Sequence, residues 1–254
     1  MNYQTIDVRF QGTICFLRFY RPDANNTINS HFVEECHQVL DLCEKSANIV
    51  VLEGLPEVFC FGADFQNLYA KMKSGQHIDE TPEPLYELWL KLANGPFITI
   101  SHVRGKVNAG GVGFVASSDI VIADETAQFS LSELLFGLLP ACVLPFLIRR
   151  IGFQKANYMT LTTQTISAQQ AQTWGLVDVF DRQSEDLLRK YLIRLRYIPK
   201  KGIYRYKSYM NSIQDSLVQS KPLAIAANQE VFSDPHNLER IFKYIETGQF
   251  PSGN

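Results

Sequence analysis

The N-terminal part of the chain shows three hydrophobic patterns in succession. Residues 3–19 contain two short stretches in which every second position is apolar, and Gly12 separates them. This alternation predicts an antiparallel hairpin. Residues 28–46 carry apolar side chains at helical spacing and predict an amphipathic helix, whereas residues 48–54 are apolar almost throughout and predict a buried strand.

Similar patterns continue along the chain. Further strands are predicted at residues 98–103, 119–123, 127–130 and 176–180. Further helices are predicted at residues 63–73, 85–94, 141–151, 154–161, 167–174, 185–196, 201–219, 222–232 and 235–247. Residues 55–62 and the polar residues 71–84 predict loops, the second of them exposed and mobile. Because no strand pattern follows residue 184, we expect an α/β body over residues 1–183 and an all-helical region over residues 184–254.

The densest candidate chemistry lies in residues 103–137. A strand leads into the glycine-rich turn Asn108–Gly113, which opens a short helix. The first turn of a helix has amide N–H groups without internal acceptors, so such a turn can hold negative charge that develops on an oxygen. Residues 59–64 form a second junction between a loop and a helix, with Asp64 in the predicted first turn, and it could supply a second donor.

Glu133 follows this turn and has two interpretations. Ser130 and Glu133 fit a capping box, in which each side chain bonds the backbone amide of the other residue. The local pattern alone favours that structural role. The surrounding sequence SLSELLFGLLPACVLPF is apolar, however, and poor solvation raises the pKa of a carboxyl group toward the range useful for proton transfer.

Composition and charge limit the function classes. The 254 residues are 46% hydrophobic, which is enough for a large core, and the net charge of −2 gives no general attraction to nucleic acid or to anionic membranes. The five cysteines are scattered without a CxxC pair and predict reduced thiols. The five histidines show no ligand spacing, so no metal site is predicted. Without a signal-like leader or an apolar run of membrane-spanning length, the sequence predicts a cytoplasmic protein.

Two other motifs have competing interpretations. Residues 111–116 loosely match the GxGxxG pattern of dinucleotide-binding sites, but close packing of a helix on a strand also requires glycine. Residues 189–207 hold eight basic residues and no acidic ones, with tyrosines interleaved. A solvated helix face is the simplest interpretation of that basic segment, and RNA binding or docking of an acidic carrier protein are the alternatives.

Several motifs in order resemble the crotonase superfamily, the enoyl-CoA hydratases and isomerases. They are RPDANNTIN at 21–29, FCFGADF at 59–65, VRGKVNAGGVGF at 103–114, SSDIVIAD at 117–124, AQFSLSELLFGLLP at 127–140 and TWGLVD at 173–178. The resemblance covers nearly the whole chain. It implies an α/β fold built as a spiral of ββα units, with a C-terminal helical region that supports trimers, often paired into hexamers.

The resemblance also assigns candidate roles to residues. It places two oxyanion-binding backbone amides at Phe61 and Gly110 and the second of the family's two catalytic glutamates at Glu133. The first of those glutamates falls on Gly113 and is therefore missing here. The segments implied to hold the phosphopantetheine arm supply Ala24, Cys60, Gly62, Ala63 and Asp64.

Among crotonases, the amino-acid sequence of this chain most resembles the dehydratases of polyketide β-branching cassettes. This implies dehydration of 3-hydroxy-3-methylglutaryl thioester on an acyl carrier protein, without a cofactor beyond the phosphopantetheine that carries the substrate. The missing carboxylate at Gly113 is expected to make room for the branched substrate, and His102, Lys106 and Asn108 are candidates to bind its distal carboxylate. An acyl-CoA hydratase or isomerase, and a non-catalytic scaffold or RNA-binding relative, remain the alternatives.

Overall fold

The computed structural model describes residues 3–74 and 81–250. The strands are β1 Ile6–Gln11, β2 Ile14–Phe19, β3 Ile49–Glu53, β4 Val58–Cys60, β5 Ile98–Val103, β6 Lys106–Asn108, β7 Ile120–Ala123, β8 Gln128–Ser130, β9 Ile166–Ser167 and β10 Val179–Phe180. The helices are α1 Ser30–Ser46, α2 Phe65–Lys73, α3 Glu83–Asn94, α4 Gly110–Ser117, α5 Leu144–Ile151, α6 Phe153–Thr162, α7 Ala168–Trp174, α8 Ser184–Leu195, α9 Lys200–Ile213, α10 Ser216–Ser233 and α11 Pro235–Thr247. Short 3-10 helices occupy Pro22–Ala24 and Glu133–Phe136.

The strands form two sheets. The larger has the order β1-β2-β3-β5-β7-β10, and the smaller has the order β4-β6-β8-β9. In the larger sheet β1 and β2 pair antiparallel, which confirms the predicted hairpin, and the other pairings are parallel. Gly12 lies in the hairpin turn at φ +59°, a conformation that glycine adopts without steric penalty.

A repeated unit connects the two sheets. In each of the pairs β3/β4, β5/β6 and β7/β8, the first strand joins the larger sheet and the second joins the smaller one. A helix or helical turn follows each pair before the chain returns to the larger sheet. This arrangement confirms the predicted spiral of ββα units.

The main core lies between the sheets and the helices that cover them. The inward face of α1 buries Phe32, Cys36, Val39 and Cys43, at the helical spacing predicted from the sequence. All five cysteines are buried and free, which confirms that they are core thiols. Full burial of a side chain such as Phe32 or Val39 contributes roughly 1.5–3 kcal/mol to folding.

Some predicted elements differ from the structure, and part of one prediction lies outside the described residues. The predicted loop at 55–62 contains β4, and β6 precedes the glycine-rich turn. Each strand has only three residues, which is too short for an alternating hydrophobic pattern to be recognised in the sequence. The predicted helix at 201–219 instead ends at Ile213, and a separate helix, α10, begins at Ser216. Helix α10 continues through Pro222 and buries Leu217 and Ala224 on either side of it. Residues 75–80 of the predicted loop at 71–84 lie outside the described residues.

The basic segment at 189–207 is partly used inside the fold. Lys200 Nζ donates to three backbone carbonyls at the end of α1 and before β5. Lys207 is buried and donates to the Leu92 and Phe97 carbonyls and to Asp119 Oδ2, the last at 2.7 Å. These two side chains fasten α9 to the body and are not available to a nucleic acid. Within the described residues, no helix combines the length and apolarity needed to cross a membrane.

We expect Lys207→Ala to lower the free energy of unfolding by about 3 kcal/mol, because it leaves Asp119 and two carbonyls without their buried partner. Lys201→Ala is the matched control, since Lys201 is exposed on the same helix and its loss should change stability by less than about 0.5 kcal/mol. Urea unfolding at one protein concentration measures both. Equal effects of the two substitutions would show that the Lys207 contacts do not hold α9 in place.

Candidate active site

Three parallel strands of the smaller sheet place the predicted site residues. Cys60 pairs with Val107 between β4 and β6, and Asn108 pairs with Ser130 between β6 and β8. Neighbouring parallel strands end at the same edge of a sheet, so the residues that follow them come together. Phe61 follows β4, Gly110 follows β6 and Glu133 follows β8.

The two predicted oxyanion junctions lie against each other. A Cβ built on Gly62 would lie 3.4 Å from Gly110 N and 2.7 Å from Ala109 Cβ, so only glycine allows this approach. Gly62 has φ +88°, and Ala109 has φ +50°, which is uncommon for a residue with a side chain and marks local strain. Gly110 begins α4, so its amide has no acceptor within the helix. Gly110 and Phe61 both line one cavity.

The capping-box interpretation of Glu133 is wrong. Ser132, not Ser130, precedes the 3-10 helix Glu133–Phe136, and no side chain caps that helix. Ser130 instead donates its hydroxyl to Asn108 Oδ1 at 2.9 Å, and Ser132 Oγ accepts from Asn108 Nδ2 at 2.9 Å. Pairing of β6 with β8 brings these side chains together, and Asn108 thereby holds the segment that carries Glu133.

Glu133 as a whole is half-buried, but one oxygen of its carboxylate, Oε2, is buried and has no hydrogen-bond partner among the described residues. Burial raises the pKa of Glu133 to about 7, although hydrogen bonds from the backbone amides of Glu133 and Ser132 oppose the shift. A carboxyl group with this pKa can accept a proton and return it near neutral pH.

The cavity has a volume of about 1600 Å³ and contains most, but not all, of the predicted site residues. The predicted residues that line it are Ala24, Phe61, Ala63, Asp64, Asn108, Gly110 and Glu133. Cys60 and Gly62 are buried and do not line the cavity, so they belong to the packing beneath the Phe61 junction. Burial also raises the pKa of the Cys60 thiol to about 12, which keeps it protonated.

Two of the predicted substrate contacts lie elsewhere. His102 is 1% exposed and does not line the cavity; its Nδ1 lies 3.2 Å from Glu53 Oε1 and its Nε2 lies 2.9 Å from Ser184 Oγ. This histidine therefore joins α8 to the larger sheet. Lys106 is exposed on β6 and does not line the cavity either. Sequence proximity to the glycine turn suggested both residues, but successive strand positions point to opposite faces of a sheet.

The space at Gly113 is filled by protein, so the expectation that it makes room for substrate is wrong. A Cβ at Gly113 would lie 2.4 Å from Trp89 Cζ2. The indole of Trp89 is 1% exposed, lines the cavity and belongs to α3, which is distant in the sequence. Sequence reasoning missed this residue because nothing in the helical pattern of α3 distinguishes a tryptophan at the site from one in the core.

The loop that holds Ala24 depends on two side chains that the sequence analysis also missed. Asn26 is fully buried and donates from Nδ2 to the Val58 and Phe59 carbonyls. Arg21 Nη2 lies 2.8 Å from Asp64 Oδ2, while Asp64 Oδ1 accepts from Asn67 N and caps α2. These bonds fix the loop and the Phe61 junction as one wall of the cavity.

The C-terminal helices supply the opposite wall. Phe136 and Leu138, next to Glu133, pack with Ile241 of α11 in a separate hydrophobic cluster. Residues from α10 and α11 that line the cavity include Asn228, Phe232 and Leu238. The helical region therefore covers Glu133 in its own chain and contributes to the burial of its carboxylate.

The sequence of this chain is similar to those of known enoyl-CoA hydratases and dehydratases. The family model for enoyl-CoA hydratase/isomerase matches residues 9–253. The chain is 62% identical to the bacillaene synthase dehydratase PksH of Bacillus subtilis over 99% of this chain and 97% of the relative. It is 29% identical to the 2,3-dehydroadipyl-CoA hydratase of Escherichia coli over 85% of this chain and 83% of the relative.

Solved structures show the same fold. A crystal structure of a polyketide biosynthesis enoyl-CoA hydratase (pksH) from Bacillus subtilis matches with a TM-score of 0.97 at 62% identity, covering 98% of this chain and all of that one (100%). An enoyl-CoA hydratase from Bacillus halodurans matches with a TM-score of 0.85 at 17% identity, covering 94% of this chain and 100% of that one. The second likeness concerns the fold alone.

The raised pKa of Glu133 predicts how stability changes with pH. The folded state favours the neutral carboxyl group, so this contribution is fully present below the ordinary pKa of 4.5 and is lost as the pH rises through about 7. Between pH 4.5 and 8 the wild type should lose about 3 kcal/mol of unfolding free energy relative to Glu133→Gln. Urea unfolding at both pH values measures this difference, with Glu57→Gln as the exposed control. A parallel pH dependence of the wild type and Glu133→Gln would contradict the raised pKa.

Gly113→Ala should lower the free energy of unfolding by about 1–3 kcal/mol, because the new methyl group meets the Trp89 ring. Gly202→Ala is the matched control: it also lies in a helix, but its Cβ would lie at an ordinary 3.5 Å from Pro199. That control should be neutral or slightly stabilising. Thermal unfolding of both variants at one concentration makes the measurement. Unchanged stability of Gly113→Ala would show that Trp89 moves freely.

Proposed function

Because the chain belongs to the enoyl-CoA hydratase/isomerase (crotonase) family, we propose that it dehydrates a 3-hydroxy-3-methylglutaryl thioester carried on an acyl carrier protein. The product is the 3-methylglutaconyl thioester, an intermediate of polyketide β-branching. The general reaction class follows from the relatives: the chain is an enzyme of the hydro-lyase type. Its 62% identity to a dehydratase of bacillaene synthase supports the polyketide context.

The observation that carries the proposal is the carboxylate of Glu133, which lines the cavity and has one buried oxygen without a partner among the described residues. Gly110 and Phe61 line the same cavity. A second carboxylate at position 113 is sterically excluded by Trp89. One acid–base group beside two backbone amides suits a reaction in which the same group takes and returns one proton.

Dehydration by these groups proceeds in two steps. The thioester oxygen accepts hydrogen bonds from the Phe61 and Gly110 amides, and the ionised Glu133 removes the α-proton. The C–H electron pair forms an enolate whose oxygen charge the two amides stabilise. The enolate then collapses to a double bond between the α- and β-carbons, and the β-carbon–oxygen bond breaks. The departing oxygen takes the proton back from Glu133, so water leaves and the carboxylate is restored.

The remaining expectations concern the assembly and the carrier. Ala24, Ala63 and Asp64 line the cavity wall opposite the helical region, which supports their proposed contact with the phosphopantetheine arm. The reaction is redox-neutral, and we propose that it needs no cofactor besides that arm. The boundary near residue 183, the assembly into trimers or hexamers, the cytoplasmic location and the carrier-protein partner stay predictions.

Intact-mass measurement of the loaded carrier protein tests the function. We expect loss of one water, about 18 Da, from 3-hydroxy-3-methylglutaryl carrier protein, and a rate about 10²–10⁴-fold lower for Glu133→Gln. Glu57→Gln, an exposed carboxylate, is the control and should keep full activity.

Other outcomes identify the alternatives. Turnover of crotonyl-CoA without action on the loaded carrier protein would identify an acyl-CoA hydratase. A folded protein that turns over neither substrate but binds RNA tightly, with affinity falling as salt rises, would identify a non-catalytic relative.

A further inference from the structure

The described residues that line the cavity include two with buried polar atoms that have no hydrogen-bond partner. One is the acceptor Glu133 Oε2, and the other is the donor Trp89 Nε1. Buried polar groups are nearly always paired, so an unpartnered donor and an unpartnered acceptor on the lining of one cavity indicate groups that a ligand satisfies. The mechanism above uses the carboxylate and leaves the indole N–H unexplained.

The position of Trp89 is fixed by its neighbours. Its six-membered ring lies over α4: a Cβ on Gly113 would meet Cζ2 at 2.4 Å, and a Cβ on Gly110 would lie 3.9 Å from the same atom. Edge contacts hold the ring, with centroids 5.8 Å from Phe114 at 89° and 5.7 Å from Phe146 at 75°. The indole therefore lies rigidly along the first turn of α4, beside the amide proposed to hold the thioester oxygen.

We propose that the Trp89 indole N–H donates a hydrogen bond to the β-hydroxyl oxygen of the substrate and holds it for departure; this inference rests on the proposed dehydration. The β-hydroxyl is two carbons from the thioester carbonyl. An acyl group whose carbonyl oxygen is bound at Gly110 therefore passes the indole within a few bond lengths. No carboxylate stands in this place, because the ring fills the space beside Gly113.

The indole acts by positioning and by electrostatics, not by proton transfer. As the β-carbon–oxygen bond breaks, negative charge develops on the oxygen, and the fixed N–H dipole stabilises it. The proton that completes the water molecule still comes from Glu133. Ser132 is a competing donor that also lines the cavity: its Oγ accepts from Asn108 at 2.9 Å, so its own proton can turn toward the cavity.

Indole NMR provides the first test. The chain has only two tryptophans, so Trp174→Phe leaves Trp89 as the single reporter; Trp174 packs on Tyr158 away from the cavity. In protein labelled with ¹⁵N at the indole, we add phosphopantetheine analogues that carry the acyl group through an amide. The 3-hydroxy-3-methylglutaryl analogue should move the indole proton downfield, and the 3-methylglutaryl analogue, which lacks the hydroxyl, should not. Equal shifts, or no shift while calorimetry shows that both analogues bind, would overturn the proposal.

A shape-conserving replacement provides the second test. Benzothienylalanine placed at position 89 by genetic-code expansion keeps the ring but lacks the N–H. We expect kcat on the loaded carrier protein to fall about tenfold with little change in KM, since one hydrogen bond to the developing charge is lost. Unchanged kcat in this variant, with a drop in Ser132→Ala, would assign the donor role to Ser132 instead.

The two proposals fail separately. If the wild type releases no water from the loaded carrier protein, the dehydratase assignment is wrong, whatever the indole does. If the wild type dehydrates the loaded carrier protein normally and the chemical shift of the indole proton does not depend on the hydroxyl of the analogue, only the role of Trp89 is wrong. An unchanged thermal unfolding temperature of the benzothienylalanine variant would indicate that its ring still packs on Gly113.

Discussion

The parallel pairing of β4, β6 and β8 is the constraint on which the candidate site depends. Each strand is only three residues long, yet their shared register brings the ends of three distant segments to one edge of the smaller sheet. Phe61, Gly110 and Glu133 all follow directly from those ends. Strands this short have little stability alone. The larger sheet and the repeated ββα connection must therefore hold them in place.

Burial of Glu133 is the second requirement, and it comes from the far end of the chain. Phe136 and Leu138 pack with Ile241 of α11, and side chains of α10 line the cavity. The C-terminal helices thus set the polarity around the acid–base group as well as covering the body. A carboxylate in the same loop without this cover would be solvated and would titrate near its ordinary pKa.

The family resemblance assigns a carboxylate to position 113, where this chain has glycine. Trp89 occupies the space that a side chain at this position would need, so an aromatic ring with one donor lies there. This arrangement gives the cavity an apolar wall at the start of α4. A ring in that position favours a dry cavity, where hydrogen bonds to developing charge are stronger than in water.

The sequence by itself determined the elements with a clear period and the residue types that carry chemistry. The hairpin, the amphipathic α1, the buried strands of the larger sheet and the helical tail follow from local patterns of burial, because periodicity records which face meets the core. Motif resemblance placed Phe61, Gly110 and Glu133. Only the tertiary structure decided that the two glycine junctions touch and that His102 belongs to the packing of α8. It also decided that Glu133 is not a helix cap and that its Oε2 has no partner among the described residues. It also placed Trp89 over Gly113, since contacts between residues distant in sequence depend on strand register and helix packing, which leave no local pattern in the chain.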